Sequence, residues 1–404
     1  MPTRPRPVFF AAPHRVMFFG GLVQALLSMA LWAWDVGGRL AALWPAPSWP
    51  WPPAWLHSLL MIYGTLPFFM IGFAMTAGPR WQGAQELEAA EFLPPFALMA
   101  AGWLLYYVGL LGPTACITAG LGLTLTGWTW GLHTLWTVLR QPAPSREHIA
   151  YLFGALVTGA VGLAMFLGFA AVGDPWMARA AIAIGIWGLL LPIFVTVAHR
   201  MVPLFTASAM PHYLPYQPLW TLRLVLAATA THLVLTLAKL HAWLWLADGP
   251  AALALLYQSW RWQPWRTRNM PMVATLHIGC AWMGISLALF ALQSLLALAN
   301  SPALGLAPLH ALTIGSFASL LMAMASRVAL GHSGQTVAPT WIIRYGFWAL
   351  QLAAVSRISM EWWSRAGPAN PALVACVLWL LAWGAWAVCF APAFFRPRAD
   401  GRPG

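Results

Sequence analysis

Residues 310–334 read HALTIGSFASLLMAMASRVALGHSG. The stretch holds one charged residue, Arg327, and is long enough to cross a hydrocarbon core, which takes roughly 20 apolar residues of helix. His310 opens it and His332 lies near its other end. Hydrocarbon offers an imidazole no partner, so a histidine in a membrane helix must be hydrogen-bonded, face water or coordinate something. The two cannot share a site, because 22 residues of continuous helix separate them by about 33 Å. Thr313, one turn below His310, is placed to bond back to a helix carbonyl. Gly315 and Ser316 permit close approach by a flat ligand or, equally, by a neighbouring helix. The glycines of Leu330-Gly-His-Ser-Gly334 predict a helix end, with His332 at the membrane surface.

The remainder of the 404-residue chain continues this composition. It is 61% hydrophobic and 7% charged, against roughly 25% charged in soluble proteins, which excludes a soluble globular domain. The apolar runs predict an all-α integral membrane protein with about 12 transmembrane helices. One polytopic domain over residues 1–404 would carry them at 16–35, 55–78, 93–111, 114–138, 149–172, 178–199, 218–246, 249–263, 271–298, 304–329, 340–358 and 372–393. The eighth is short. Asp248-Gly249-Pro250 looks like its start, with Asp248 as N-cap and proline in the first turn, which keeps that carboxylate out of the membrane.

Charge sets the orientation. With the N-terminus inside, sixteen of the 21 basic residues fall on the cytoplasmic side. Only Arg39, Arg179, Lys239, Arg357 and Arg365 fall outside. That bias predicts a multi-pass protein with both termini in the cytoplasm. The net charge of +12 therefore reads as arginines facing anionic lipid rather than nucleic acid. Trp44, Trp49, Trp51 and Trp55 suit headgroup anchoring. No acidic residue falls at mid-membrane, which counts against an ion-coupled carrier. Cys116, Cys280, Cys376 and Cys389 are isolated, with no Cys-x-x-Cys pair for zinc or covalent heme attachment. The N-terminal segment reads as a retained first helix rather than a cleaved leader.

Eleven histidines can be sorted by depth. His57 opens helix 2 and His310 lies early in helix 10, and both helices run from outside to inside. Matching depth is what two axial ligands on opposite faces of a heme require. Each taken alone fits an interfacial or packing role as well. His232 and His241 are also near the outer side. His133, His199, His277 and His332 lie toward the inner side, while His14, His148 and His212 read as loop or interfacial residues.

Several blocks resemble the NnrS family of membrane proteins. They are His310-Ala-Leu-Thr-Ile-Gly through Ser326-Arg-Val-Ala-Leu-Gly-His332-Ser-Gly334, Pro13-His-Arg before helix 1, Arg200-Met-Val-Pro-Leu-Phe-Thr206 after helix 6, Met61-Ile-Tyr-Gly64 and Gly72-Phe-Ala-Met-Thr-Ala77 in helix 2, and Leu276-His-Ile-Gly in helix 9. The resemblance implies a protein of the bacterial cytoplasmic (inner) membrane that binds heme and copper, acts in the response to nitric oxide, and is distantly similar to the catalytic subunit of heme–copper oxidases. It implies a b-type heme between His57 and His310, and an inner cluster of His277, His332 and His199 for copper or a second heme. Arg200 and Arg327 would meet heme propionates there, or serve only as positive-inside anchors. Nitric oxide is the implied ligand; the residues name no electron donor. One departure stands out: the family usually opens helix 2 with His-x-His-Glu, where this chain has His57-Ser58-Leu59-Leu60. A six-coordinate heme favours electron transfer or sensing, whereas turnover of nitric oxide needs an open position. A heme or metal carrier without redox turnover is the rival reading, as is a stress-linked protein that has lost its cofactor.

Overall fold

A computed structural model describes residues 7–143, 145–334, 341–363 and 367–399. Its long helices, labelled here in chain order, are α1 (Pro13–Arg39), α2 (Pro53–Gln82), α3 (Ala89–Leu111), α4 (Ala115–Leu139), α5 (Glu147–Val172), α6 (Pro175–Ala209), α7 (Leu219–Leu237), α8 (Trp245–Arg261), α9 (Pro271–Leu298), α10 (Ala307–His332), α11 (Trp341–Ser359) and α12 (Pro371–Phe395). Nine of them are long and apolar enough to cross a membrane among the described residues. Of the other three, α8 has only 17 residues, α4 is rich in Gly, Thr and Trp, and α11 carries Arg344 and Arg357.

Three helices form the centre. The most apolar windows of α2, α6 and α10 are 94, 72 and 78% buried, while no other candidate span exceeds 50%. A helix buried on all sides must be apolar all round, which explains runs such as Leu66-Pro-Phe-Phe-Met-Ile71 and Leu189-Leu-Leu-Pro-Ile193. Each of the three also widens into a π turn, at Leu60–Thr65, Ile184–Leu190 and Ala311–Ala318. Such turns occur chiefly at functional sites, since the extra residue re-aims side chains and loosens the backbone ladder. Phe194 and Phe317 stack at 4.4 Å and join α6 to α10. The buried Tyr63 hydroxyl donates to the Ala181 carbonyl at 2.6 Å, joining α2 to α6 just before the wide turn of α6.

Polar bonds between helices supplement this packing, as expected where lipid supplies no hydrophobic drive. Trp282 Nε1 donates to Gln351 Oε1 at 2.8 Å, and Gln351 Nε2 donates to Ser319 Oγ at 2.7 Å. Trp386 Nε1 donates to Ser326 Oγ at 2.9 Å. Gly315 is where α9 meets α10: a Cβ there would lie 2.6 Å from the Trp282 ring. The small residue thus serves helix packing.

Three expectations need correction. Residues 178–199 were expected as one span, with Arg200–Thr206 beyond it, but α6 runs on to Ala209 and includes Pro203. Pro203 has no N–H to give to the carbonyl one turn back, and beside that gap Gln217 Nε2 donates to the Arg200 carbonyl at 2.9 Å. The seventh helix ends at Leu237 rather than 246, because Lys239 turns into the left-handed region at φ 62°. The eighth then starts at Trp245, so Asp248 is no N-cap; it lies buried in the first turn. A carboxylate can sit there because His232 Nδ1 donates to its Oδ1 at 2.7 Å.

The tightest helix pair is α3–α4, where Gly102 and Gly120 face each other's backbone. A Cβ on Gly102 would lie 2.6 Å from Gly120 O, whereas one on Gly122 meets nothing within 4 Å. Gly102→Val should lower thermal stability in detergent by about 1–3 kcal/mol, while Gly122→Val leaves it unchanged; equal melting of the two variants would contradict this packing.

Candidate functional site

His57 and His310 stand on two of the three central helices, each at the threshold of a π turn. Both are half-buried, and each lies within electrostatic range of Arg357, as they do of one another. His310 Nδ1 donates to the Leu306 carbonyl at 2.9 Å. That bond fixes the tautomer and leaves Nε2 as a lone pair, the arrangement found in metal-ligating histidines. Thr313 Oγ1 donates to Leu309 O at 2.9 Å, as its spacing predicts.

The His57 ring stacks on Trp32 of α1, with centroids 4.3 Å apart and planes 16° from parallel. Its Nδ1 is buried without a hydrogen-bond partner. An imidazole nitrogen buried in apolar surroundings without a hydrogen-bond partner is costly. Residues Leu59 and Leu60, where the family pattern usually has His and Glu, are fully buried core residues. No ligand or proton carrier stands at those two positions.

Asp35 lies nearby in α1, 2% exposed. It accepts from Arg39 Nη2 at 2.6 Å and from Trp49 Nε1 at 3.0 Å. Arg357 pairs with Glu361 at 2.9 Å. Sequence reasoning missed Arg357, although a signal existed: it is one of only five basic residues assigned to the poorly charged side.

Toward the end of the bundle that carries both chain ends, His277, His332 and His199 do not come together. His332 Nε2 accepts from Arg80 Nη1 at 3.2 Å, and its ring lies 4.3 Å from that of His14. His14 is therefore no loop residue: it is buried in the first turn of α1. Two motifs 318 residues apart, Pro13-His-Arg and Gly-His332-Ser, form one contact. His199 Nε2 donates to Pro218 O at 3.2 Å, so its Nδ1 accepts from His148 Nε2 at 3.0 Å. His277 bonds Thr206 Oγ1 at 3.1 Å; that hydroxyl already donates to Val202, so Nε2 donates and Nδ1 is left unpartnered. Among the described residues no group of three or more His, Cys, Asp or Glu side chains could hold a metal ion. Arg200 and Arg327 rest on aromatic rings, 4.6 Å over Trp81 and 4.1 Å over Phe205.

A family model described as NnrS protein matches residues 8–398. The chain belongs to the NnrS family. None of the curated proteins matches it. Among solved structures it is similar to a heme-copper terminal oxidase dimer determined by cryo-EM, with a TM-score of 0.66 at 10% sequence identity over 97% of this chain and 85% of that one. At that identity the likeness concerns the fold, an all-helical bundle.

Arg15 joins the start of α1 to the end of α12 in the NnrS bundle. It is 2% exposed, and its Nη1 donates to Ala393, Phe394 and Arg396 carbonyls at 3.2, 3.1 and 3.0 Å, the last acceptors of α12. Arg15→Leu should cost about 2–3 kcal/mol and expose the segment after α12 to limited proteolysis; unchanged cleavage would show that the clamp contributes nothing.

Proposed function

We propose that this NnrS protein is a heme-binding protein of the bacterial inner membrane, with both termini in the cytoplasm, acting in the response to nitric oxide. Its b-type heme would be held by His57 and His310 as the axial pair. The observation that carries this reading is the pairing itself. Two histidines on the most buried helices stand within range of each other, one with its Nε2 freed by a backbone bond and the other with an orphaned buried nitrogen. Family membership and the oxidase-like fold point the same way.

Bound there, a heme supplies an iron that changes oxidation state and has affinity for nitric oxide. The chain's own residues do the rest. The Leu306 carbonyl raises the basicity of His310, Trp32 holds the plane of His57, and Arg357 is within range of both histidines to meet a propionate.

Among the described residues no three ligating side chains converge on a place for copper. His277, His332 and His199 have separate partners, and His332 sits against Arg80, with Arg15 and Arg398 also in electrostatic range. Like charge opposes a cation there, so no step is assigned to copper through these three residues.

The test is the visible spectrum of the reduced protein, produced with heme supplied. Wild type should show a b-type spectrum, and His57→Ala and His310→Ala should each abolish it or shift it strongly. A well-folded wild type lacking heme would overturn the proposal. Addition of nitric oxide to reduced protein then shows whether one axial ligand yields.

A further inference from the structure

A cavity of ≈ 420 Å³ opens between α6, α7, α9 and α10 and the segments that precede α8 and α10. Its walls are largely apolar, formed in part by Ile182, Ile186, Leu244, Leu306 and Leu309, with Arg179 also in the lining. One side is an aromatic corner. Trp187, in the π turn of α6, stacks on His232 at 3.4 Å, and Phe290 meets both edge-on at 5.0 and 5.7 Å.

Two side chains in this wall, His232 and Gln293, can accept a hydrogen bond from a ligand, beside the Thr236 hydroxyl and the Arg179 guanidinium. His232 Nδ1 donates to the buried carboxylate of Asp248 at 2.7 Å, and with its proton committed there Nε2 is the ring nitrogen that can accept from a ligand. Gln293, also in the wall, has its carbonyl Oε1 buried without a partner, and so has the hydroxyl oxygen of Thr236. The site thus holds acceptors that need a donor. A mostly apolar hollow of this size with a few convergent polar groups is the form of a small-molecule site. A metal ion is disfavoured, since among the described residues no three ligating side chains converge.

We propose that this cavity binds the ring of a lipid-soluble hydroquinone. The aromatic corner takes the flat ring, the leucines and isoleucines take its apolar substituents, and two hydroxyl groups donate to His232 Nε2 and Gln293 Oε1. An oxidised quinone has acceptors only and leaves His232 Nε2 and Gln293 Oε1 unpaired, so these two groups favour the reduced form. Leu306 joins this cavity to the axial pair, because its side chain lines the wall and its carbonyl takes the His310 Nδ1 proton. The binding reading nevertheless stands without a heme.

The test is equilibrium binding of a decyl-chain benzoquinol, kept reduced, to the full-length protein in nanodiscs. Saturable binding is expected, weakened at least about tenfold by His232→Leu and by Gln293→Leu. On wild-type protein, the same molecule with both hydroxyls methylated should fail to compete. Competition by the methylated analogue equal to that of the quinol would overturn the proposal, as would non-saturable partition alone or unchanged affinity in Gln293→Leu. The analogue arm uses wild type, so it decides the matter even if His232→Leu fails to fold.

Discussion

Everything in this bundle follows from burying α2, α6 and α10 in a medium that offers no hydrogen bonds. In water an imidazole at a helix threshold is satisfied by solvent. Here its needs must be met by a backbone carbonyl, as for His310, or by a carboxylate, as for His232. Where neither is supplied, as at His57 Nδ1 and Gln293 Oε1, a buried polar atom is left without a partner in the fold. The apolar packing and the polar exceptions are two outcomes of one constraint.

The three π turns extend the same logic. Each adds a residue to a helix whose neighbours fix it on all sides, so the surplus is absorbed by rotation of nearby side chains. Tyr63 illustrates the accommodation. Fully buried within the π turn of α2, it reaches the Ala181 carbonyl before the π turn of α6, and a Cβ at Gly185 would lie 2.9 Å from its hydroxyl. Two distorted helices thereby brace each other.

Much of this was legible from residues alone. Hydropathy reads a membrane bundle from the chain because spanning length is a local property, and nine helices among the described residues have that length and apolarity. What escaped depended on contacts between distant segments. His14 looked like a loop residue because only the fold brings it to His332. Asp248 looked like a cap because its Asp-Gly-Pro context is a good start signal, and nothing local announces His232 sixteen residues earlier. Depth also grouped His277, His332 and His199 as one cluster. Equal depth does not fix azimuth around a bundle, and the three face different neighbours.

The clamp made by Arg15 bears on how such a chain is assembled. Its acceptors lie 378 to 381 residues further along, so they do not exist when α1 leaves the ribosome. A guanidinium near one end of α1 can wait among headgroups and water, but it reaches its buried position only after the last helix has entered the bilayer. Closure of the bundle is therefore a terminal event in biogenesis. A chain that stalls or is cut before α12 lacks the carbonyls that the Arg15 guanidinium bonds in the closed bundle.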